Sequence, residues 1–208
     1  NTSGDGGPGL YLMNRDGSNQ IHLDNIIRHT SHPWSPDGTK IAFVTYRGNR
    51  CEIDTINIRE GNQTNIVVDN LAIINDCRGI SASWSPDGTK IAFSSYNESG
   101  DDSNIYVINS DGSSQRELTS NPEYDGSPAW SPDGTKIAFI SDRNPDMTSY
   151  GVYVMNVDGS SQRSVSHSPP YFSGGIELTW SPDGKKIVGG GYGQFSIIDI
   201  EESSQTNL

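Results

Sequence analysis

Short apolar runs and polar turns alternate along this chain in a unit that is written four times. Each copy begins with Trp-Ser-Pro-Asp-Gly and continues into an apolar strand such as Lys-Ile-Ala-Phe. Proline presets φ, aspartate can bond the backbone two residues on, and glycine takes a positive φ, so a tight turn is predicted. The copies are 50, 46 and 50 residues apart and start at Trp34, Trp84, Trp130 and Trp180. A fixed period of this size is typical of a repeat architecture.

Two further strands complete each unit. A variable loop leads to a third apolar run, as at 105–108 and 152–155, and a second Gly turn then precedes a short polar strand such as 115–119. No segment has helical periodicity. Four antiparallel strands in about 40–50 residues match the size of a propeller blade.

The chain opens on half of such a unit. Residues 10–14 match a third strand, 15–18 its Gly turn and 20–23 a fourth strand. We therefore predict one all-β domain over 1–208, a β-propeller of four-stranded antiparallel blades: a half-blade at 10–24 and blades at about 25–75, 76–120, 121–167 and 168–208. No first or second strand precedes this half-blade, and three interpretations remain open. The chain is a piece of a longer propeller, another chain completes the ring, or the first strand pair joins the last blade. We favour a partial or five-bladed ring.

The repeat resembles that of TolB-like β-propellers, through Trp-Ser-Pro-Asp-Gly-Thr-Lys-Ile-Ala-Phe followed by Ile-Tyr-Val-Ile-Asn. Related blades occur in the propeller domains of prolyl-oligopeptidase-type peptidases and in oligogalacturonate lyases. The resemblance covers nearly the whole chain and implies the fold, but one fold hosts many activities. We assign the motif residues to turns and core, and expect the four tryptophans to pack between neighbouring blades.

The net charge limits the possible binding partners, and the cysteines bear on the cellular location of the protein. A net charge of −12 argues against nucleic acid and anionic membranes as partners, and no apolar run is long enough for a membrane helix. Cys51 and Cys77 fall in one repeat, in loops expected on the same face, so we predict a disulfide and an extracytoplasmic location: periplasmic, cell-surface or secreted. Two free thiols are the alternative.

The predicted meander separates a set of nearly identical turns from a set of differing loops. Both Gly turns fall on one face, and the loops after the second and fourth strands fall on the other, where we place any binding surface. Twelve residues after each Trp stand Tyr46, Tyr96, Asp142 and Tyr192. The three tyrosines could stack on a sugar or grip a peptide, or could simply pack between blades. Arg47, Arg78 and Arg143 lie in the same loops and could hold a carboxylate or remain solvated.

Metal binding has only weak candidates in this sequence. His29 and His32 precede the first Trp, but His32 corresponds to Ala82, Pro128 and Leu178 in the other repeats. Asp101 and Asp102 lie in an acidic loop that could take Ca²⁺ but lacks EF-hand spacing. We therefore predict no cofactor and no metal site, with Ca²⁺ as the remaining candidate.

The sequence offers little support for catalysis. It has no Gly-x-Ser-x-Gly elbow, P-loop, dinucleotide fingerprint or paired-cysteine zinc spacing. The leading hypothesis is a non-catalytic extracytoplasmic propeller that binds a protein or peptide, or forms a structural part of a surface assembly. The alternatives are a carbohydrate-binding propeller and the propeller part of a polysaccharide lyase or prolyl-oligopeptidase-type peptidase.

Overall fold

A computed structural model describes residues 10–13, 15–18, 20–23, 26–47, 50–57, 63–66, 80–96, 102–143, 150–166, 177–191 and 194–207. Within these ranges every regular element is a β-strand. A helix long and apolar enough to cross a membrane does not occur in the described part of the chain.

The strands, in chain order, are β1 Leu10–Leu12, β2 Ile21–Leu23, β3 Ile26–Trp34, β4 Lys40–Arg47, β5 Arg50–Asn57, β6 Gln63–Ile66, β7 Ala82–Trp84, β8 Lys90–Tyr96, β9 Ser103–Asn109, β10 Arg116–Glu117, β11 Asp125–Trp130, β12 Lys136–Ser141, β13 Gly151–Asn156, β14 Arg163–Ser164, β15 Glu177–Trp180, β16 Lys186–Gly191, β17 Gln194–Asp199 and β18 Ser204–Asn207.

Four antiparallel meanders of four strands make up most of the described chain. We call them blade 1 (β3–β6), blade 2 (β7–β10), blade 3 (β11–β14) and blade 4 (β15–β18). The first strands of blades 1 and 2 also meet in a parallel pairing of His32 with Ser83, which joins those two blades into one eight-stranded sheet. The pair β1–β2 forms a separate two-stranded sheet. The predicted all-β meanders are confirmed, while blade number and ring closure stay predictions.

The Ser-Pro-Asp-Gly turns have the predicted geometry. In blade 1 the Gly38 N–H donates to the Ser35 carbonyl at 2.9 Å, and Gly38 has a φ of +67°. Asp37 Oδ1 accepts the Ser35 hydroxyl at 2.6 Å and the Thr39 N–H at 3.0 Å. These hydrogen bonds, the one from Ser35 foremost, lower the pKa of Asp37 to about 2. Equivalent bonds lower the pKa of the corresponding carboxylates, Asp87, Asp133 and Asp183.

Apolar residues on alternate strand positions fill the space between blades. In blade 3, Ile137 and Phe139 pack in a cluster with blade 2, whereas Ala138 and Ile140 pack in a cluster with blade 4. This is the side-chain period of two expected for a strand that is buried on both faces.

The tryptophans follow the predicted inter-blade packing in part. Trp180 is 9 % exposed and its Nε1 donates to the Ala129 carbonyl of blade 3 at 3.0 Å, and Trp84 is buried in a cluster that includes blade 1 residues. For Trp34 the prediction is wrong, because its side chain is 51 % exposed. Trp180 is bonded to Ala129 on the first strand of the blade before it, whereas β1 and β2, the strands described before blade 1, correspond to a third and a fourth strand.

Polar contacts across the blades act at the end that carries the Gly turns, which we call the turn face. Arg116 of blade 2 donates to the Val157 carbonyl of blade 3 at 3.1 Å, and Arg163 of blade 3 donates to the Ile200 carbonyl next to β17 of blade 4 at 3.0 Å. A β-carbon at Gly159 would lie 2.8 Å from the Leu118 carbonyl oxygen, so this turn also approaches blade 2 closely.

We predict that Asp37→Asn lowers the stability of the fold at neutral pH and reduces the loss of stability as the pH falls into the acid range. A carboxylate with a lowered folded-state pKa stabilises the fold above its unfolded pKa of about 4, and that contribution is lost as the pH falls towards about 2. Thermal unfolding midpoints between pH 7 and pH 2.5 measure it. Glu177→Gln, at an exposed strand carboxylate, is the control; equal profiles for both variants would contradict the turn's role.

We predict that Trp180→Ala destabilises the protein by about 3–5 kcal/mol, because it removes a large buried side chain and an inter-blade hydrogen bond. Trp34→Ala is the matched control and should cost roughly 1 kcal/mol or less, since that side chain is half exposed. Urea unfolding followed by circular dichroism measures both. Similar losses in the two variants would argue against Trp180 as an inter-blade contact.

Candidate binding surface on the loop face

The end of the blades opposite the turn face brings together residues from blades 2 and 3. We call this end the loop face. Tyr96 ends β8 and Asp142 directly follows β12, while Tyr124 precedes β11 and Tyr150 precedes β13. Two of these residues, Tyr96 and Asp142, are among those that the repeat spacing predicted for this face.

Three tyrosine rings are in contact on this face, and we call Tyr96, Tyr124 and Tyr150 the tyrosine cluster. The Tyr96 and Tyr124 ring centroids lie 6.1 Å apart at an interplanar angle of 55°. The Tyr124 and Tyr150 centroids lie 5.3 Å apart at 65°, an edge-to-face arrangement. Such pairs contribute about 0.5–1.5 kcal/mol beyond burial. Tyr124 and Tyr150 also pack on the core between blades 3 and 4. The cluster is therefore a supported aromatic surface.

Asp142 holds the backbone of the cluster. Its Oδ1 accepts the Tyr124 N–H at 2.7 Å, and the carboxylate is exposed. Burial raises the pKa of Tyr124, and the neighbouring Tyr96, Tyr150 and Asp142 raise it further. Burial, then Asp142, likewise raises the pKa of Tyr150. The Tyr124 and Tyr150 hydroxyls therefore keep their protons at neutral pH and can donate hydrogen bonds beside a carboxylate acceptor.

An irregularity in β11 makes room for Tyr124. The pairing with β12 shifts register between Gly126 and Ala129, and Ser127 has a φ of 52°. A β-carbon at Gly126 would overlap the Tyr124 ring, so only glycine lets the ring fold back over its own strand. Bulges of this kind are common beside binding sites because they redirect a side chain.

A buried ion pair lies beneath the loop face. Arg143 donates to Asp125 Oδ2 at 2.7 Å and to the Ser141 hydroxyl at 2.9 Å, and Asn121 donates to the same aspartate oxygen at 2.8 Å. The guanidinium also lies over the Phe139 ring at 5.1 Å from its centroid. Asp125 is fully buried. Arg143 therefore uses several of its N–H donors in contacts within the protein. These donors are not free for the predicted contact with a ligand carboxylate.

Several predicted binding residues lie beyond the described ranges. The backbones of Tyr46 and Arg47 belong to β4, but their side chains lie outside the described residues, as do Arg78 and Tyr192 entirely. A complete ring of the four positions therefore stays a prediction.

The metal candidates divide in the same way. His29 and His32 lie on β3 with side chains outside the described set, and Asp101 is also outside it, whereas Asp102 is described and partly exposed. Within the described ranges no three His, Cys, Asp or Glu side chains form a group that could hold a metal ion. Ca²⁺ in the acidic loop stays a prediction.

Only one of the two cysteines of the predicted disulfide is among the described residues. Cys51 is the second residue of β5, is 1 % exposed and is not a free thiol. Cys77 lies outside the described residues, so its pairing with Cys51 stays a prediction.

Sequence reasoning missed Tyr124, Tyr150 and Asp125. Alignment of the repeats compares one position in every blade, whereas the cluster combines the end of a second strand with the starts of a first and a third strand. Both tyrosines immediately precede a strand that starts on the loop face, which is a signal that the sequence does contain.

A family model described as the TolB β-propeller domain matches residues 4–207. The chain belongs to the TolB β-propeller family. This confirms the resemblance seen in the repeats, and together with the antiparallel sheets it confirms the β-propeller fold.

Individual relatives agree with the family. TolB of Acinetobacter baumannii, a crystal structure, superposes with a TM-score of 0.69 at 25 % identity, over 96 % of this chain and 48 % of its own. A curated sequence, the Tol-Pal system protein TolB of Blochmanniella pennsylvanica (strain BPEN), is 39 % identical over 59 residues, 28 % of this chain and 13 % of its own length. This chain thus spans less than half the length of these TolB proteins.

A more distant structure shows the fold alone. A chain in the crystal structure of a nidogen/laminin complex superposes with a TM-score of 0.71 at 13 % identity, over 95 % of this chain and 73 % of its own. The same architecture is therefore shared by chains with little sequence in common.

We predict that Arg143→Ala destabilises the protein by about 3–5 kcal/mol, because it leaves the Asp125 carboxylate buried without its cation. Lys186→Ala breaks an exposed pair of similar length with Asp199, and should cost about 1 kcal/mol or less. Urea unfolding measures both. If the two losses were equal, Arg143 would be available for ligand binding rather than required by the fold.

Proposed function

We propose that this chain is a non-catalytic module that binds a protein or peptide outside the cytoplasm, as part of an assembly of the Tol-Pal kind. The observation that carries the proposal is the tyrosine cluster beside Asp142 on the loop face. Tyrosines supply large contact area with few rotatable bonds, and they are enriched among the residues that dominate protein interfaces.

Three further observations support this proposal. The family match covers nearly the whole chain, and the curated relative is named as a Tol-Pal system protein. The net charge of −12 disfavours nucleic acid as a partner. The described residues on the loop face are bound to one another: Arg143 pairs with Asp125, and Asp142 accepts a backbone N–H. An arrangement of this kind favours recognition over chemistry.

Carbohydrate binding is the second candidate, and the same cluster favours it. Tyrosine rings with protonated hydroxyls next to the exposed Asp142 carboxylate provide both a stacking surface and polar partners for a sugar. A glycan array probed with the 208-residue chain tests this candidate, and binding that Tyr150→Ala abolishes would favour it over a protein partner.

We predict that Tyr150→Ala weakens binding to a purified protein of a Tol-Pal system about tenfold or more. Loss of an interface aromatic commonly costs over about 1.4 kcal/mol, which is tenfold in Kd. Surface plasmon resonance with each purified component measures it. Tyr150→Phe keeps the ring, so comparing the two variants separates the ring's contribution from that of the hydroxyl.

The control is Trp34→Ala, which removes an exposed aromatic residue at a turn and should leave Kd unchanged. Unfolding curves of every variant exclude misfolding as the cause. Wild-type chain that binds none of the Tol-Pal proteins, or Tyr150→Ala that binds as tightly as wild type, would overturn the proposal.

A further inference from the structure

A cleft opens on the turn face at the junction of blades 2 and 3, opposite the tyrosine cluster. Its volume is about 530 Å³, within the usual range for ligand sites. Blade 2 contributes the first turn and the β9–β10 connection, and blade 3 contributes both of its turns. The side chains that determine the chemistry of the cleft are Asp87, Val107, Arg116, Trp130, Val157 and Asp158.

The floor of the cleft is apolar and includes Trp130, whose indole nitrogen lacks the kind of hydrogen bond that Trp180 makes at the next junction. Val107, Trp130 and Val157 line it. The Trp130 indole nitrogen is shielded from solvent and meets no acceptor among the described residues, whereas Trp180 at the next junction donates to a backbone carbonyl. An unpaired buried donor costs about 1–3 kcal/mol.

The rim of the cleft carries excess negative charge. Asp87, Asp133 and Asp158 line it together with Lys90 and Arg116. Hydrogen bonds within the turns lower the pKa of all three carboxyls, those from Ser85, Ser131 and Ser160 being the largest causes, so they are ionised at neutral pH.

Both cations of the rim already have partners. Lys90 donates to Asn109 Oδ1 at 2.8 Å, and Arg116 donates to the Val157 carbonyl at 3.1 Å. These acceptors are neutral, so three carboxylates against two cations leave the rim with a net charge of −1, which favours a cation over an anion.

We propose that this cleft binds an extended peptide segment of a protein partner, with an apolar side chain on the floor of Val107, Trp130 and Val157 and a lysine or arginine beside the rim carboxylates. The shape supplies room for one large side chain, and the charge selects basic neighbours. The site goes beyond the loop-face function proposed above, because it uses the opposite face and none of the same residues.

The test uses the whole 208-residue chain labelled with ¹⁵N and two capped tripeptides, acetyl-Arg-Phe-Arg-amide and acetyl-Glu-Phe-Glu-amide. Trp130→Phe assigns the Trp130 indole N–H resonance. We expect the basic peptide to shift this resonance in a saturable manner at millimolar concentration, and the acidic peptide to leave it unshifted. Raising the salt concentration should weaken the binding of the basic peptide.

Two matched variants locate the charge. Asp158→Asn keeps the acceptor oxygen used within its turn and should weaken the basic peptide about two- to fivefold, the range of one exposed charge pair. Glu201→Gln changes the residue at the corresponding position of the next junction and should have no effect. Tyr150→Ala should also have none, which separates this site from the loop face.

The proposal is overturned if the basic peptide does not shift the Trp130 resonance, if both peptides shift it equally, or if the shifts map to the tyrosine cluster. Equal weakening by Asp158→Asn and Glu201→Gln would overturn it as well, because it would show attraction to the acidic protein as a whole. Binding of partner proteins at the loop face could persist under every one of these results.

Discussion

A four-stranded sheet with apolar residues on both faces requires a neighbour on each face, and the rest of this structure depends on that requirement. Blade 3 meets it, since Ala138 and Val152 are fully buried against blade 4. The register places Val188 and Phe195 at the corresponding positions of blade 4, where they are 37 % and 53 % exposed. The repeat therefore places apolar residues at the same positions in each blade, and packing against a neighbouring blade determines whether these residues are buried.

The loop face derives its geometry from this stacking. Tyr96 belongs to blade 2, whereas Tyr124 and Tyr150 belong to blade 3, so the cluster exists only while the two blades are held in register. The Ser103 hydroxyl of blade 2 donates to the Asp125 carbonyl of blade 3 at 2.9 Å, which fixes that register at the loop face. A surface built across a rigid junction loses little entropy on binding, which is what a recognition site needs.

The turns and strands were predictable from the sequence because they depend on interactions between residues close together in the chain. Much of the candidate site was not, because it depends on contacts between residues far apart in the chain. Proline, aspartate and glycine act within four residues, so the turns could be predicted together with the strands that they join. Tyr96 and Asp142 lie at the ends of second strands, as the repeat spacing predicts, because they occupy equivalent positions in the repeat. The position of Arg143 depends on Asp125, which is 18 residues away along the chain, and the exposure of Trp34 depends on how blade 1 packs. Neither fact is contained in the repeat itself.

The turn chemistry also determines the electrostatics of the turn face. Each turn needs a short acceptor side chain that can bond the backbone two residues on, and aspartate fills this position in both kinds of turn, as Asp133 and Asp158 do in blade 3. Every repetition therefore adds a carboxylate with a lowered pKa to the same end of the molecule. The acidic composition is thus partly a consequence of the fold. A substitution that removes one of these charges therefore also removes a turn acceptor, unless it keeps the acceptor oxygen as Asp158→Asn does.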